Sequence, residues 1–407
     1  MATYTEANQN VDVRKRVLLR ESYIEAYPEK TPIVTAIPKT TNRKVTSPES
    51  SEVQWLFKTF SEGENISVYD GEDVTADEAV DNDDNKTVLK GRVQLGRRAV
   101  FTGRIAEATI EQHGGVTSKN ADSKKDMLRL MREDQEKVLS GNAVSKAQTA
   151  SPKVAYQTRS FMQWLSQGTH ADLPIDAMAK CPAGQLVTVD SAADFTEASL
   201  RAMLQSCFEA RDTEGKWHAF IHPDLQTVMD NWLSLGEITE TTVPIRRYNQ
   251  EASKGEIKLS VKSFSGSFGK VHFTPKNRMA KQFTYSVTTA NGSATLTVAS
   301  NRGFVAGMKI KGTGIASGAT VLYVPKSSTT TVVMSANATA TGTVTATVDQ
   351  THLAELWDFE FAELAFIDQV GYKDLENKGG GPRGYADMLY TLAVLNPQAM
   401  AGVLKTF

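Results

Sequence analysis

Cysteine is almost missing from this sequence. Only Cys181 and Cys207 occur, with no CxxC spacing, so neither a disulfide framework nor a thiolate metal site is indicated. No apolar run approaches the roughly 18 residues a membrane span requires, so no membrane partner is expected. The first residues, MATYTEANQNVDVRKRVLLRES, lack the apolar core of a secretion signal, and folding in a reducing cytoplasm is the expectation. Net charge is only −2, which gives no global reason to bind nucleic acid or an anionic membrane. Histidine is sparse and scattered. His218 and His222 stand four apart, but across a strand-to-helix junction, where that spacing does not share a helical face. GxSxG is absent, and the carboxylates cluster in a polar stretch where burial cannot tune them. No catalytic constellation, cofactor site or metal site emerges.

What the chain does have is local charge segregation. Residues 1–46 read as an arm: an amphipathic piece around Val13, Val17 and Leu18, then a stretch that Pro28, Pro32 and Pro38 are expected to keep extended. Such a segment must lie along another surface, its own subunit's or a neighbour's. EVQWLFKTF, from Glu52, reads as a strand, with Trp55, Phe57 and Phe60 among its bulky residues. An acidic window follows, including Glu62, Glu64, Asp70, Glu72 and Asp73. Asp81, Asp83 and Asn85 imitate a calcium loop, but Lys86 replaces the required glycine and Arg92 the bidentate glutamate. The returning strand carries Arg92, Arg97 and Arg98, so an acidic strand pairing with a basic one is expected. A ribbon this long is marginal alone and calls for a neighbouring surface.

A Gly-Gly break then leads into a helix over about 120–141. Asp122 or Ser123 is its expected cap, and Met127, Leu130, Met131, Val138 and Leu139 its apolar stripe. Lys124, Lys125, Arg129 and Arg132 crowd its first turns. Cations there oppose the helix dipole, which suits either a solvated face or one presented to a partner. After a poorly periodic stretch, TEASLRAMLQSCFEAR and PDLQTVMDNWLSLG show helical stripes flanking the strand WHAFIH, an α/β unit with Cys207 in its core. IKLSVKSFSGSFGKVHFTP reads as a hairpin. From Thr284 to Val348 no Asp or Glu appears, and short strand-like pieces alternate with Gly- and Ser-rich turns. That pattern predicts an inserted all-β sandwich, with Gly312, Gly314 and Gly318 as turn residues rather than a dinucleotide loop. LAELWDFEFAELAFI then resumes the host domain, and the last 22 residues or so read as one final strand.

The order of these pieces resembles the major capsid proteins of tailed bacteriophages with the HK-ninety-seven-type fold. The motifs that carry it are KTPIVTAIPK, EVQWLFKTF, RVQLGRRAVFTGRI, SKKDMLRLMREDQEKVLSGN, AFIHPDLQTVMDNW, the hairpin above, and YTLAVLNPQAMAGV. The resemblance implies an α+β chain with an N-terminal arm over 1–46, an E-loop over 47–105 and a P-domain over 106–185 containing the spine helix. It further implies a mainly A-domain segment over 186–283, an outward-facing Ig-like insert over 284–349, and a return to both domains over 350–407. By the same resemblance, the subunits form hexamers and pentamers of a virion shell, assembled in the bacterial cytoplasm around packaged double-stranded DNA. A portal, a separate scaffolding protein and a decoration protein are the implied partners.

Departures from the type member matter too. No long charged scaffolding segment precedes the arm, and a chain starting at Met1 is expected not to be trimmed. Some relatives crosslink Lys to Asn between subunits, for which Lys86 or Lys90 is the candidate lysine. The alternative function is an adhesin that binds carbohydrate through the β-insert. The candidate intersubunit contacts are Glu62, Glu64, Asp70, Glu72 and Asp73 of the acidic window, Arg92, Arg97 and Arg98 of the returning strand, and Lys124, Lys125, Arg129 and Arg132 of the helix.

Overall fold

A computed structural model of the chain describes residues 31–41, 51–59, 67, 69–71, 73, 85–104, 118–150, 153–166, 173–211, 214–232, 249–251, 256–258, 261–276, 283–301, 303–349, 352–376 and 380–406. The fold is α+β, and two sheets share the host domain. A four-stranded sheet runs in the order Lys39–Thr40, Ala362–Leu375, Arg383–Val394, Gln94–Phe101. A six-stranded sheet runs Ser263–Gly266, Gly269–Pro275, Gly215–Ile221, His352–Trp357, Ala401–Lys405, Leu186–Val189. The C-terminal stretch is therefore not one strand. Asn396 caps a single 3-10 turn that begins at Pro397, and beyond it the chain passes from the four-stranded to the six-stranded sheet. Proline has no N–H to give a ladder, which makes this the natural break.

The helices Glu197–Arg211 and Pro223–Trp232 cover one face of the six-stranded sheet. Leu200, Met203, Leu204, Cys207, Leu225 and Met229 pack there on Trp217, Ala219 and Ile221. A second core joins the four-stranded sheet to the helix Lys119–Leu139, the spine helix, and to a ribbon of Glu52–Lys58 with Lys86–Arg92. The expected long basic strand is two strands. Lys86–Arg92 pairs in the ribbon, while Gln94–Phe101 pairs with Arg383–Val394. Its partner in the ribbon is Glu52–Lys58, whereas most of the acidic window lies outside the described residues. The ribbon's inner face, Val53, Trp55, Phe57 and Leu89, is buried in its own subunit, and Trp55 Nε1 donates to Val394 O at 3.0 Å. A Cβ at Gly91 would lie 2.8 Å from Thr391 Oγ1, so this close crossing requires glycine.

The spine helix starts earlier than expected. Ser118 is its cap, its Oγ accepting from Ala121 N at 3.2 Å, and Asp122 sits in the first turn. Several Asx and Ser residues in a row leave the start ambiguous, since each competes for the same amides. The buried line is Met127, Met131, Gln135, Glu136 and Leu139; Leu130 faces outward. The proline-rich piece is also corrected: Pro32–Ala36 is a short helix, not an extended segment. Proline is well tolerated at the first helical position, where its missing N–H is not needed. The amphipathic piece around Val13 lies outside the described residues. In the region expected to be a single hairpin, only Ser263–Gly266 pairs with Gly269–Pro275; Glu256–Lys258 pairs instead with Asn249–Glu251.

The all-β insert is one antiparallel sheet, ordered Lys309–Lys311, Gly342–Asp349, Phe283–Thr289, Thr295–Val298, Thr331–Met334, Val321–Tyr323. Its two outer strands meet: Gly307 N donates to Val321 O and Val321 N to Met308 O, both at 2.7 Å, and Ile310 N to Ala319 O at 2.9 Å. The insert is thus a small closed barrel rather than a sandwich of two sheets. Both architectures present short alternating strands and frequent turns, and only the pairing of the outer strands separates them. Val287, Leu296, Ile310, Val332, Ala346 and Val348 fill its interior. Gly314 and Gly318 have φ of 76° and 74°, the left-handed turn positions expected of them.

Candidate assembly surfaces

Alternation along Glu52–Lys58 sends Val53, Trp55 and Phe57 inward and therefore Leu56 outward. The register sets Leu56 directly opposite Val88, and these two are 63% and 46% exposed. Leu95 and Phe101 extend the apolar exposure along the next strand, and Leu128 and Leu130 along the spine helix. Phe101 and Leu130 flank an open groove of about 340 Å³ between strand and helix, floored by Val100 and Met127. The sequence held a sign of this. An apolar Leu56 at a solvent-phase position of a clean alternation is a surface hydrophobe, visible without the structure.

The candidate charges divide. Arg92 is 8% exposed, donates to Ser51 Oγ at 2.8 Å and pairs with Glu52 at 3.3 Å, so it is committed within the subunit. Arg98 grips Asp134 of the spine helix with two bonds, Nε to Oδ2 at 2.6 Å and Nη2 to Oδ1 at 2.8 Å. That bond, opposed by desolvation, raises its pKa further. Arg97 reaches Asp387 at 3.4 Å and lies over the Tyr385 ring. Lys124 lies 4.1 Å from the Tyr372 ring centroid and 3.8 Å from Asp374. Lys125, Arg132, Asp70 and Asp73 are exposed, and Arg129 is half-buried. Glu62, Glu64 and Glu72 lie outside the described residues.

Sequence reasoning missed the groups that tie the subunit together. Glu136 is buried at the end of the spine helix. Its Oε1 accepts from Ile33 N at 3.2 Å and its Oε2 from Val34 N at 2.8 Å, so it caps the Pro32–Ala36 helix. Lys276 Nζ completes the cluster, 2.7 Å from Glu136 Oε1 and 3.1 Å from Ser140 Oγ. On the far side of the insert, His352 Nδ1 donates to Ser140 O at 2.7 Å. Both connections to the insert are therefore fastened to one helix end. The barrel also rests on the host: Gln157 Nε2 donates to Leu322 O at 2.8 Å, and Lys326 Nζ to Arg97 O at 2.7 Å. A Cβ at Gly307 would come within 2.2 Å of the Asn142 carbonyl carbon. These partners lie more than a hundred residues apart in sequence, and no local pattern announces them.

Little points to chemistry. Among the described residues no three His, Cys, Asp or Glu side chains group as metal ligands, and no helix is long and apolar enough to cross a membrane. Cys181 and Cys207 are buried thiols; burial pushes Cys181 up to about 12 and Cys207 higher still.

Solved structures similar to this chain include the capsid of cyanophage P-SCSP1u, 11% identical, covering 100% of this chain and 99% of that one, with a TM-score of 0.48. Mycobacterium phage Bobi is 8% identical over 100% of both chains, with a TM-score of 0.47. The capsid of a native GTA particle is 7% identical, covers 95% of this chain and 94% of that one, and has a TM-score of 0.48. No curated protein matches the sequence. A family model described as SU10 major capsid protein matches residues 3–300, nearly three quarters of the chain. That match favours the shell subunit over the glycan-binding adhesin, agrees with the resemblance drawn from the sequence motifs, and identifies a structural protein of the virion rather than an enzyme. The chain belongs to the SU10 major capsid protein family.

Proposed function

We propose a division of labour within this phage head-shell subunit. Residues 1–46 act as an arm and 47–105 as an E-loop reaching a neighbour. Residues 106–185, with the spine helix, and 186–283 form the P- and A-domains, to which 350–407 return; 284–349 is a domain turned outward. Subunits associate as hexamers and pentamers around packaged double-stranded DNA, with a portal, a separate scaffolding protein and a decoration protein as partners.

The observation that carries the reading is the Leu56–Val88 pair on the outer face of the ribbon. Fully burying one such side chain is worth roughly 1.5–3 kcal/mol, whereas an exposed ion pair contributes about 0–1 kcal/mol. Repeated apolar contacts therefore dominate assembly, and Asp70, Asp73, Lys125 and Arg132 set its register. Lys124 and Arg97, already engaged within the subunit, contribute less, and Arg92 does not take part.

The test is the pair Leu56→Asp with Val88→Asp, beside a deletion of residues 62–84. Both variants should remain folded and soluble by circular dichroism yet form no closed shells. Normal shells from either one refute the assigned role of the hairpin.

A further inference from the structure

Among the described residues, helices cover one face of the outer end of the six-stranded sheet, and Phe359 packs on the other face beside His218, ring centroids 5.0 Å apart. Strands Gly215–Ile221 and Gly269–Pro275 lie parallel there, with Ser263–Gly266 outside them. Trp217, Val271 and Phe264 turn towards the helices. On the opposite face the register sets Lys216 against Lys270 and His218 against His272, and Ser265 and Ser263 continue the two rows. All six side chains are exposed. The imidazole centroids of His218 and His272 lie 5.8 Å apart, which fixes them on one face.

None of these three strands contains an acidic residue. Cations directly opposite one another on neighbouring strands repel, and an Asp or Glu at either serine position would relieve them. The sequence supplies hydroxyls instead. Partial burial, and then the neighbouring His272, hold His218 below its ordinary pKa. The nearest carboxylates on this side are the buried Glu355, opposite Phe220, and Glu214, two residues before Lys216, so the lysine pair itself has no acid directly opposite it. Two ammonium groups flanked by hydroxyl and imidazole donors on a flat sheet suit phosphate oxygens, which accept from all of them.

We propose that this open face of the six-stranded sheet binds the phosphate backbone of duplex DNA, with Lys216 and Lys270 neutralising phosphates and Ser263, Ser265, His218 and His272 donating hydrogen bonds to them. The proposal rests on the shell reading and deepens it, since it assigns the side of the subunit that meets the packaged nucleic acid.

Fluorescence anisotropy of the full-length chain with a labelled duplex, followed across a salt series, tests it. Lys216→Ala/Lys270→Ala should make the log–log salt dependence shallower by about 2 and weaken binding about tenfold at low salt, because each phosphate neutralised contributes about 0.9 to that slope. Lys153→Ala/Lys311→Ala, two exposed lysines elsewhere, should leave both unchanged. A thermal melt confirms that the double variant is folded, and the Lys→Gln pair replaces it if it is not. Absence of wild-type binding at low salt overturns the proposal, as does an unchanged slope. So does tighter binding of the acidic 62–84 peptide than of the duplex to the same lysines, which makes the face a contact between subunits. Micrographs separate the two readings: a wild-type lattice with unaltered duplex affinity in the variant removes only this inference, whereas no lattice at all removes the shell reading.

Discussion

Glu136→Gln probes how the subunit is fastened. The first amides of the Pro32–Ala36 helix have no acceptor within that helix, and the Glu136 carboxylate serves Ile33 and Val34 together. The Glu136 side chain is 5% exposed and that of Lys276 9%. Removing one partner of a buried ion pair costs about 3–5 kcal/mol, because the other charge stays buried and uncompensated. Glutamine keeps one carbonyl oxygen but points an NH2 group at either the second amide or the ammonium. Leaving one buried donor without an acceptor costs a further 1–3 kcal/mol or so. The two effects share atoms and do not add, so a total of about 4 kcal/mol is expected.

With three separate cores among its described residues, the chain need not unfold in one step, so the readout is local. Hydrogen exchange in the unassembled subunit should show the Ile33 and Val34 amides losing about three decades of protection, since each decade is about 1.4 kcal/mol. The barrel strand Thr331–Met334 should be unaffected. Adding Lys276→Met should restore part of the loss by removing the stranded charge. Protection within threefold of wild type in Glu136→Gln would refute the account of this cluster.

Other consequences are simpler to check. Gly307→Ala places a Cβ against Asn142 at φ 90° and should loosen the barrel from the host, seen as faster exchange at Gly307 and Val321 with the barrel core intact. The left-handed backbone alone costs about 1–2 kcal/mol there. Arg98→Lys loses the two-bonded grip on Asp134 and, at a half-exposed site, should cost no more than about 1 kcal/mol in thermal or urea unfolding. Burial raises both thiol pKa values, Cys181 to about 12, so the thiolate fraction at pH 8 is negligible and rises only towards strong alkali. A maleimide should label neither cysteine until urea unfolds the chain.

Elements with a strong local period were legible. The stripes of Glu197–Arg211 and Pro223–Trp232 and the alternation of Glu52–Lys58 each state which side is apolar. Periodicity does not say which element that side meets. Gln94–Phe101 finds Arg383–Val394 almost three hundred residues later, and nothing in either strand encodes the other. Closure of the barrel was hidden for the same reason. Pro32 was misread because proline suits both an extended segment and a first helical turn, and the deciding group, Glu136, lies a hundred residues away. Among the candidate contacts, Arg92 and Arg98 were readable as charges but not as charges already paired within the subunit.

As a major capsid protein, this chain builds shells from repeated contacts between its own copies. Electron microscopy of the purified full-length protein, with its mass in solution, tests this directly. Megadalton assemblies carrying a hexagonal lattice, as shells, tubes or sheets, are expected. A monodisperse monomer or trimer that binds glycans would contradict this reading.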